Sequence, residues 1–349
     1  MSDLIQKKVI IQKNGDEIHE SREVDWQIDR FLSGIRFDTA LAKQFTALSR
    51  NDWQLKIKAG EVTLNGSAVK PSRTLQEGDL IHFSYRLRPE PDIDRNIGIV
   101  FEDDDLIVVD KPGDVPVHAS GGYRQNTLNQ LLIEVMTERG ITGFVPRPAH
   151  RLDRETSGLI IYTKSTAMAR KITKMFLSNT IEKHYIVYVF GSFSATAPGK
   201  LLASGWIGPD TSSAIERKQR YTTGRQSQQD VYCKTEFTLL DEFQIDHHII
   251  SKIGAQLFTG RMHQIRATLL GLGFPLVGDR LYGPDETIYL RRLHDQETDA
   301  DKKLLLLDRT ALHCSRLCFD HPRTGKPLQF ESKLPSLLAA FEKGKIKNK

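Results

Sequence analysis

Apolar positions along the chain change their period several times, and each change marks an element. Near the start, Val9 to Gln12 and the residues from Glu17 onward alternate across Asn14-Gly15, a dipeptide suited to a tight hairpin. From Arg36 the period becomes helical. Leu41, Ala42 and Phe45 recur on one side, Ser49 stands as the N-cap of a second helix carrying Trp53, Leu55 and Ile57, and Gly60 closes it. Two short strands, Glu61 to Leu64 and Ala68 onward, are expected across Asn65-Gly66, and Gly78-Asp79 turns the chain into a strand from Leu80 to Tyr85. Arg86 to Asn96 has no apolar period and is dense in proline and charge, so it reads as a domain boundary.

Beyond that boundary, Gly98 to Phe101 and Leu106 to Asp110 form apolar strands around the acidic turn Glu102-Asp103-Asp104-Asp105. The sharpest transition in the chain is at His150 to Tyr162, where a charge-dense loop runs through Ser157-Gly158 into the apolar strand Leu159 to Tyr162. Ser165 caps a helix whose stripe of Met168, Ile172, Met175 and Phe176 faces the core, with Arg170, Lys171 and Lys174 on the other side. Lys183 to Val189 alternates and is β-branched, which places Lys183, Tyr185 and Val187 on one face of a strand. Ser194 to about Asp230 is polar, carries Arg217, Lys218, Arg220 and Arg225, and reads as a variable, mobile insertion facing a polyanion. Strands resume at Thr235 to Leu240 and His248 to Leu257, Thr259 to Arg266 makes a strand-to-helix turn, and Gly273 ends that helix. After a charged insertion from Pro284 to Lys303, a last hairpin joins Leu312–Phe319 to Leu328–Glu331, and a Lys-rich tail from Lys343 follows.

The chain has 349 residues, room for about two domains at roughly 150 residues each. No apolar run approaches a membrane span and the opening residues are too polar for a signal peptide, so a cytoplasmic protein without a membrane partner is expected. Cys233, Cys314 and Cys318 are an odd number in a long chain and fit a reducing compartment. Cys314 and Cys318 lie near His313 and His321, but the stretch alternates like a strand and lacks a second ligand pair, so no metal is expected. The net charge of +5 is compatible with a polyanionic partner without requiring one.

Within the charge-dense loop, Asp153 stands between Arg151 and Arg154, a setting that keeps a carboxylate ionised. On residues alone, Arg-Asp-Arg reads either as a structural ion-pair knot or as an ionised nucleophile.

His150-Arg151-Leu152-Asp153 followed by Thr156-Ser157-Gly158 and an apolar strand resembles the catalytic signature of the pseudouridine synthases, in the branch that includes the large-subunit ribosomal RNA enzymes. The stretch from Phe101 to Pro112, Pro116-Val117-His118, Asn126-Thr127-Leu128, Gly260-Arg261-Met262-His263-Gln264-Ile265-Arg266 and Phe274 to Gly283 extend that resemblance, although Ala267-Thr268 stands where the family usually has Val-His. Residues 30 to 86 are similar to the S4 RNA-binding domain. The resemblance implies an α+β protein with a mixed, largely antiparallel central sheet and flanking helices. It implies an N-terminal extension (1–29), a small S4-like α+β domain (30–88), a linker (89–96), a catalytic domain (97–340) and a basic tail (341–349).

The implied activity is isomerisation of uridine to pseudouridine in RNA. Asp153 would be the nucleophile, Arg266 its ion-pair partner, Tyr185 the residue that stacks on the base and takes part in proton chemistry at C5, and Arg151 the residue that fills the gap left by the flipped base. Arg36, Arg50, Lys56 and Lys58 would face phosphates. No phosphate loop, metal cluster or nucleotide fingerprint is found, so no cofactor is expected, and the chain is expected to act as a monomer on ribosomal RNA. Gly122 to Leu128 is similar to family members that act on transfer RNA, which keeps that substrate open. A catalytically silent RNA-binding protein would have no reason to keep Asp153, Tyr185 and Arg266 together. A glycoside hydrolase would need a second carboxylate across a cleft, and Glu155 lies along the same loop.

Overall fold

The N-terminal pattern folds as a long hairpin, β1 (Ile5–Asn14) against β2 (Glu17–Gln27), in antiparallel register from Ile5 opposite Trp26 to Asn14 opposite Glu17. The computed structural model describes residues 5–14, 17–45, 48–86, 89–197 and 199–344, so Gly15 of the expected turn and the end of the basic tail lie outside the described residues. The chain divides into two units, 1–89 and 90–349.

In the first unit, α1 (Phe37–Gln44) and α2 (Arg50–Lys58) accompany a four-stranded antiparallel sheet completed by β3 (Val62–Leu64) and β4 (Leu80–Arg86), in the order β1-β2-β4-β3. Ser49 caps α2 as its sequence suggests: its hydroxyl accepts from the Asp52 N–H at 3.2 Å while the Asp52 carboxylate accepts from the Ser49 N–H at 3.0 Å. Val24, Trp26 and Ile28 join Phe37, Leu41, Trp53, Ile57, Ile81 and Phe83 in one core. The sheet therefore crosses the division expected between residues 29 and 30, since β2 pairs with β4 and contributes to the same core.

The strand expected from Ala68 does not form. Asn65-Gly66 does turn, closed by a Leu64–Ser67 bridge, but the partner of β3 is β4. Asn65 steers this choice: its Oδ1 accepts from the Leu80 N–H and its Nδ2 donates to Asp79, each at 2.8 Å. Pro71, which has no N–H to give a ladder, follows soon after.

The second unit is organised on a ten-stranded sheet. Its strands in chain order are β5 (Gly98–Glu102), β6 (Leu106–Lys111), β7 (Ser157–Thr163), β8 (Glu182–Phe190), β9 (Lys200–Pro209), β10 (Gln219–Thr222), β11 (Val231–Ile245), β12 (His248–Leu257), β13 (Leu312–Asp320) and β14 (Pro327–Glu331). Their spatial order is β10-β9-β11-β12-β8-β13-β7-β6-β5, with β14 beside β13. Every pairing is antiparallel except β13 with β7, so the sheet is mixed and largely antiparallel. The helices are α3 (Leu128–Glu138), α4 (Thr166–Leu177), the single turn α5 (Phe193–Thr196), α6 (Gln264–Gly271), α7 (Thr287–Leu293), α8 (Asp299–Leu305) and α9 (Ser336–Glu342).

Strand β8 shows how the sheet is covered on both faces. Tyr185, Val187 and Val189 belong to the large core with α3 and α4, while Tyr188 and Phe190 belong to a second core with α9. Ser165 caps α4 through the Met168 N–H at 3.1 Å.

Residues 194 to 230 are not a loop insertion: they supply α5 and the strands β9 and β10 at one end of the sheet. Glycines disguise β9. A Cβ on Gly208 would lie 1.9 Å from the Asp230 carboxylate and one on Gly205 would lie 2.5 Å from the Thr222 carbonyl, so both positions need close approach rather than a turn. Three of the segment's four named cations are engaged within the unit, and Arg217 is exposed. Arg220 pairs with buried Asp230 at 3.2 Å, Lys218 is buried beside Glu286 and Asp210, and Arg225 lies 5.2 Å over the Trp206 ring. No described helix is long and apolar enough to cross a membrane.

Candidate active site

The loop between Pro148 and β7 is pinned at both ends before it presents Asp153. His150 Nε2 accepts from the Ile161 N–H at 3.1 Å, and burial followed by the Lys183 charge pushes that imidazole down to about 3, so it is a neutral brace. Leu152 is anchored in the core. At the other end Gly158, with φ +108°, passes so close to β13 that a Cβ would lie 2.2 Å from the Cys314 carbonyl, and no other residue fits.

Beneath the loop, the buried Lys111 ammonium donates to the carbonyls of Pro112, Val115 and Arg154 at 2.8, 2.7 and 2.9 Å. Burial pushes its pKa down to about 7, and three acceptors for three N–H bonds oppose that push. Arg309 donates to the Glu155 carbonyl at 2.9 Å, and the Glu155 carboxylate accepts from the N–H and hydroxyl of Thr310 at 2.9 and 2.7 Å. Glu155 is therefore a loop anchor, away from any second-carboxylate role. Lys111→Met leaves three carbonyls, those of Pro112, Val115 and Arg154, without this donor. It is expected to lower stability by about 3 kcal/mol, read as a shift in the chemical-denaturation midpoint.

Asp153 is addressed from helix α6. Arg266, in its first turn, donates from Nη1 to Asp153 Oδ2 at 2.8 Å, and from Nε and Nη2 to the two oxygens of Asp279 at 2.6 and 3.0 Å. Its guanidinium lies 4.7 Å over the Tyr282 ring. Asp279 is fully buried and also accepts from the N–H groups of Leu281 and Tyr282, each at 2.9 Å. Burial raises the Asp153 carboxyl, but the Arg266 charge and hydrogen bond, with His263 and Arg151 behind them, hold it below the usual carboxylate range. His263 is itself pushed down to about 4 by burial and Arg266, hence neutral near pH 7, so the lasting opposite charge is that of Arg266.

The turn entering α6 has its own logic. Gln264 is buried with every polar atom used: it accepts from Thr259 and the Arg261 N–H and donates to the Lys234 carbonyl and the Thr235 hydroxyl. His263 takes the left-handed conformation at φ 54° beside it. Ala267 and Thr268, where the sequence departs from the family pattern, are buried and do not line the cleft.

Asp153, Arg151, Tyr185, His263 and Arg266 line one cleft of about 450 Å³, together with Lys183, Phe176 and Met262. Arg151 is exposed at its edge. Tyr185 is buried opposite Cys314 of β13, and burial, Cys314 and Asp153 keep its phenol neutral by raising it well above its ordinary value. In the other unit, Arg36 and Arg50 both clamp buried Asp38, at 2.9 and 3.1 Å, while staying about half exposed. Lys56 pairs with Glu61 and Lys58 is exposed.

The cysteines of β13 do not converge with histidines. Cys314 faces Tyr185, and His313 Nδ1 lies 3.0 Å from the Ser157 hydroxyl. Among the described residues one His/Asp cluster, Asp103, Asp105 and His321, has metal-like spacing. Its chemistry opposes a metal: His321 Nδ1 accepts two backbone N–H groups, from Arg323 and Thr324, so the ring proton sits on Nε2, facing Asp103 at 3.0 Å.

Of the residues expected from sequence, Asp153, Arg266, Tyr185 and Arg151 line this cleft, whereas Asp279, His263 and Tyr282, which touch or face the Asp153–Arg266 pair, were not among them. Asp279 and Tyr282 lie in stretches the family resemblance covers, but nothing in their local pattern announces a side chain aimed back at α6.

A cleft that combines an ionised carboxylate, a buried guanidinium and a neutral phenol on this mixed sheet is that of an enzyme equipped for nucleophilic and proton-transfer chemistry. Residues 105–270 match the family model described as RNA pseudouridylate synthase, and residues 35–81 match the S4 domain. The chain is 32% identical over 318 residues, 87% of its length and 94% of the relative's, to an uncharacterized RNA pseudouridine synthase of Bacillus subtilis. It is 29% identical over 86% of its length, and 88% of the relative's, to the ribosomal large subunit pseudouridine synthase D of Vibrio cholerae. Among solved structures, human RNA pseudouridylate synthase domain containing 1 shares the fold, with a TM-score of 0.55 over 72% of this chain and 89% of that one at 22% identity. The chain belongs to the RNA pseudouridine synthase family, with an S4 domain in its N-terminal unit.

Proposed function

We propose that this protein isomerises specific uridines of large-subunit ribosomal RNA to pseudouridine, with Asp153 as the nucleophile. The observation that carries the reading is the chain Asp153–Arg266–Asp279, which keeps a carboxylate ionised in a cleft shared with a neutral tyrosine. The reaction breaks the N1 glycosidic bond, turns the base and joins C5 to C1′ with no atom lost, so it asks for a group that attacks, holds and later leaves, which an ionised carboxylate is suited to do. Arg266 orients Asp153, Tyr185 packs against the base beside it, and Arg151 at the cleft edge fills the space of the extruded nucleotide. Several relatives named for large-subunit ribosomal RNA support the choice of substrate.

The test is tritium release from 5-³H-uridine in unmodified transcripts of large-subunit ribosomal RNA and of transfer RNAs. Turnover on the ribosomal transcript alone is expected, and turnover on transfer RNA alone contradicts the substrate assignment. The first unit supplies phosphate contacts through Lys58 and the exposed portions of Arg36, Arg50 and Lys56. Lys58→Ala is expected to weaken binding of the ribosomal transcript and to reduce the slope of log affinity against log salt by about one, in a filter-binding titration.

A further inference from the structure

His263 is tied into the site by a bond pattern that favours one placement of its ring proton. Tyr282 Oη accepts the Gln219 N–H at 2.8 Å and lies 2.9 Å from His263 Nδ1. Tyr282 is fully buried and its phenol has one hydrogen to place; among the described residues His263 Nδ1 is the acceptor within reach, an arrangement that puts the ring proton of the neutral imidazole on Nε2. Nε2 points at Asp153 Oδ2, 3.9 Å away, the same oxygen that Arg266 holds at 2.8 Å. Among the described residues no donor reaches Oδ1.

We propose that His263 is a positioning residue: its Nε2–H, set in that tautomer by Tyr282, faces Oδ2 of Asp153 beside Arg266, closes on it as the carboxylate turns, and leaves Oδ1 as the oxygen presented to the substrate. This rests on the reading of Asp153 as the nucleophile. It also gives β10 a purpose, because Gln219, the first residue of that strand, anchors the relay through its backbone N–H. A neutral donor suits the position. Arg266 already supplies Asp153 with a cation, and a second one would favour the resting anion over the state in which Oδ1 is bonded to carbon, whereas a neutral N–H at 3.9 Å closes on Oδ2 when the carboxylate turns.

The test uses the full chain and the tritium-release assay on the large-subunit ribosomal transcript, with Asp153→Asn, His263→Phe, His263→Gln and Tyr282→Phe, each checked for an unchanged thermal transition. His263→Phe is expected to lose about tenfold in kcat with KM within about threefold, the scale of one hydrogen bond to a charged group. His263→Gln, whose amide N–H falls near the Nε2 position, is expected to recover most of that loss. In ¹⁵N spectra the wild-type ring is expected to show a protonated Nε2 and a bare Nδ1, a pattern that Tyr282→Phe turns into a tautomer mixture. Wild-type kcat in His263→Phe, a His263→Gln no better than His263→Phe, or a proton on Nδ1 overturns the proposal. An active Asp153→Asn overturns the nucleophile reading itself, and an inactive Asp153→Asn beside an unimpaired His263→Phe overturns the role of His263 alone.

Discussion

Asp153→Asn is expected to lose at least about 10⁴-fold in kcat on the ribosomal transcript, the scale seen when a nucleophile is removed from an enzyme that forms a covalent intermediate. The amide is nearly isosteric and carries no charge, so the loss isolates nucleophilicity from packing. Arg266 keeps both bonds to Asp279 in this variant, so no buried cation is stranded and the fold is expected to survive. Single-turnover kinetics beside a thermal melt check both halves: a rate near wild type, or a collapsed melt, contradicts the assigned role.

The second large effect is expected at Asp279, which is buried behind Arg266 and does not line the cleft. Asp279→Ala removes the bidentate partner of Arg266 and the acceptor of the Leu281 and Tyr282 N–H groups in a fully buried setting. Breaking a buried pair from one side costs about 3–5 kcal/mol, so denaturant unfolding is expected to move by that much, and kcat is expected to fall at least about a hundredfold through lost orientation of Arg266. The pH dependence follows from the same pair. Burial raises the Asp279 carboxyl, but Arg266 and the two N–H groups bring it below its ordinary value. A carboxyl depressed in the folded state contributes stability that is present above its unfolded pKa of about 3.9 and is lost as pH falls through the folded value. Wild-type stability is therefore expected to decline below about pH 4, and the decline is expected to be shallower in Asp279→Ala. Equal acid slopes in the two proteins contradict that assignment.

Much of this site is written locally. Asp153 sits in a contiguous loop whose charge density and exit through Ser157-Gly158 distinguish it from the strand that follows, and Arg266 sits in a turn-to-helix stretch of equally distinct composition. Strict alternation places Tyr185 on the face of β8 that it occupies. What eluded the sequence depends on distance in space. Asp279 acts across 13 residues onto the guanidinium of Arg266, and Tyr282 matters because its hydroxyl stands between Gln219 and His263. Strand β9 was hidden because Gly205 and Gly208 make room for Tyr221, Thr222 and Asp230, neighbours that no local pattern contains. The first unit teaches the opposite lesson: Arg36 and Arg50 look like free phosphate contacts in sequence, yet both spend hydrogen bonds on Asp38, so their charge is partly committed before any RNA arrives.

The central claim, that Asp153 carries out uridine isomerisation in ribosomal RNA, is tested most directly in cells. Pseudouridine is mapped across total RNA from a strain lacking this protein, complemented with wild type or with Asp153→Asn. One or a few sites in large-subunit ribosomal RNA are expected to disappear in the deletion and to return only with wild type. Sites that persist without the protein, or that return equally with Asp153→Asn, contradict the account.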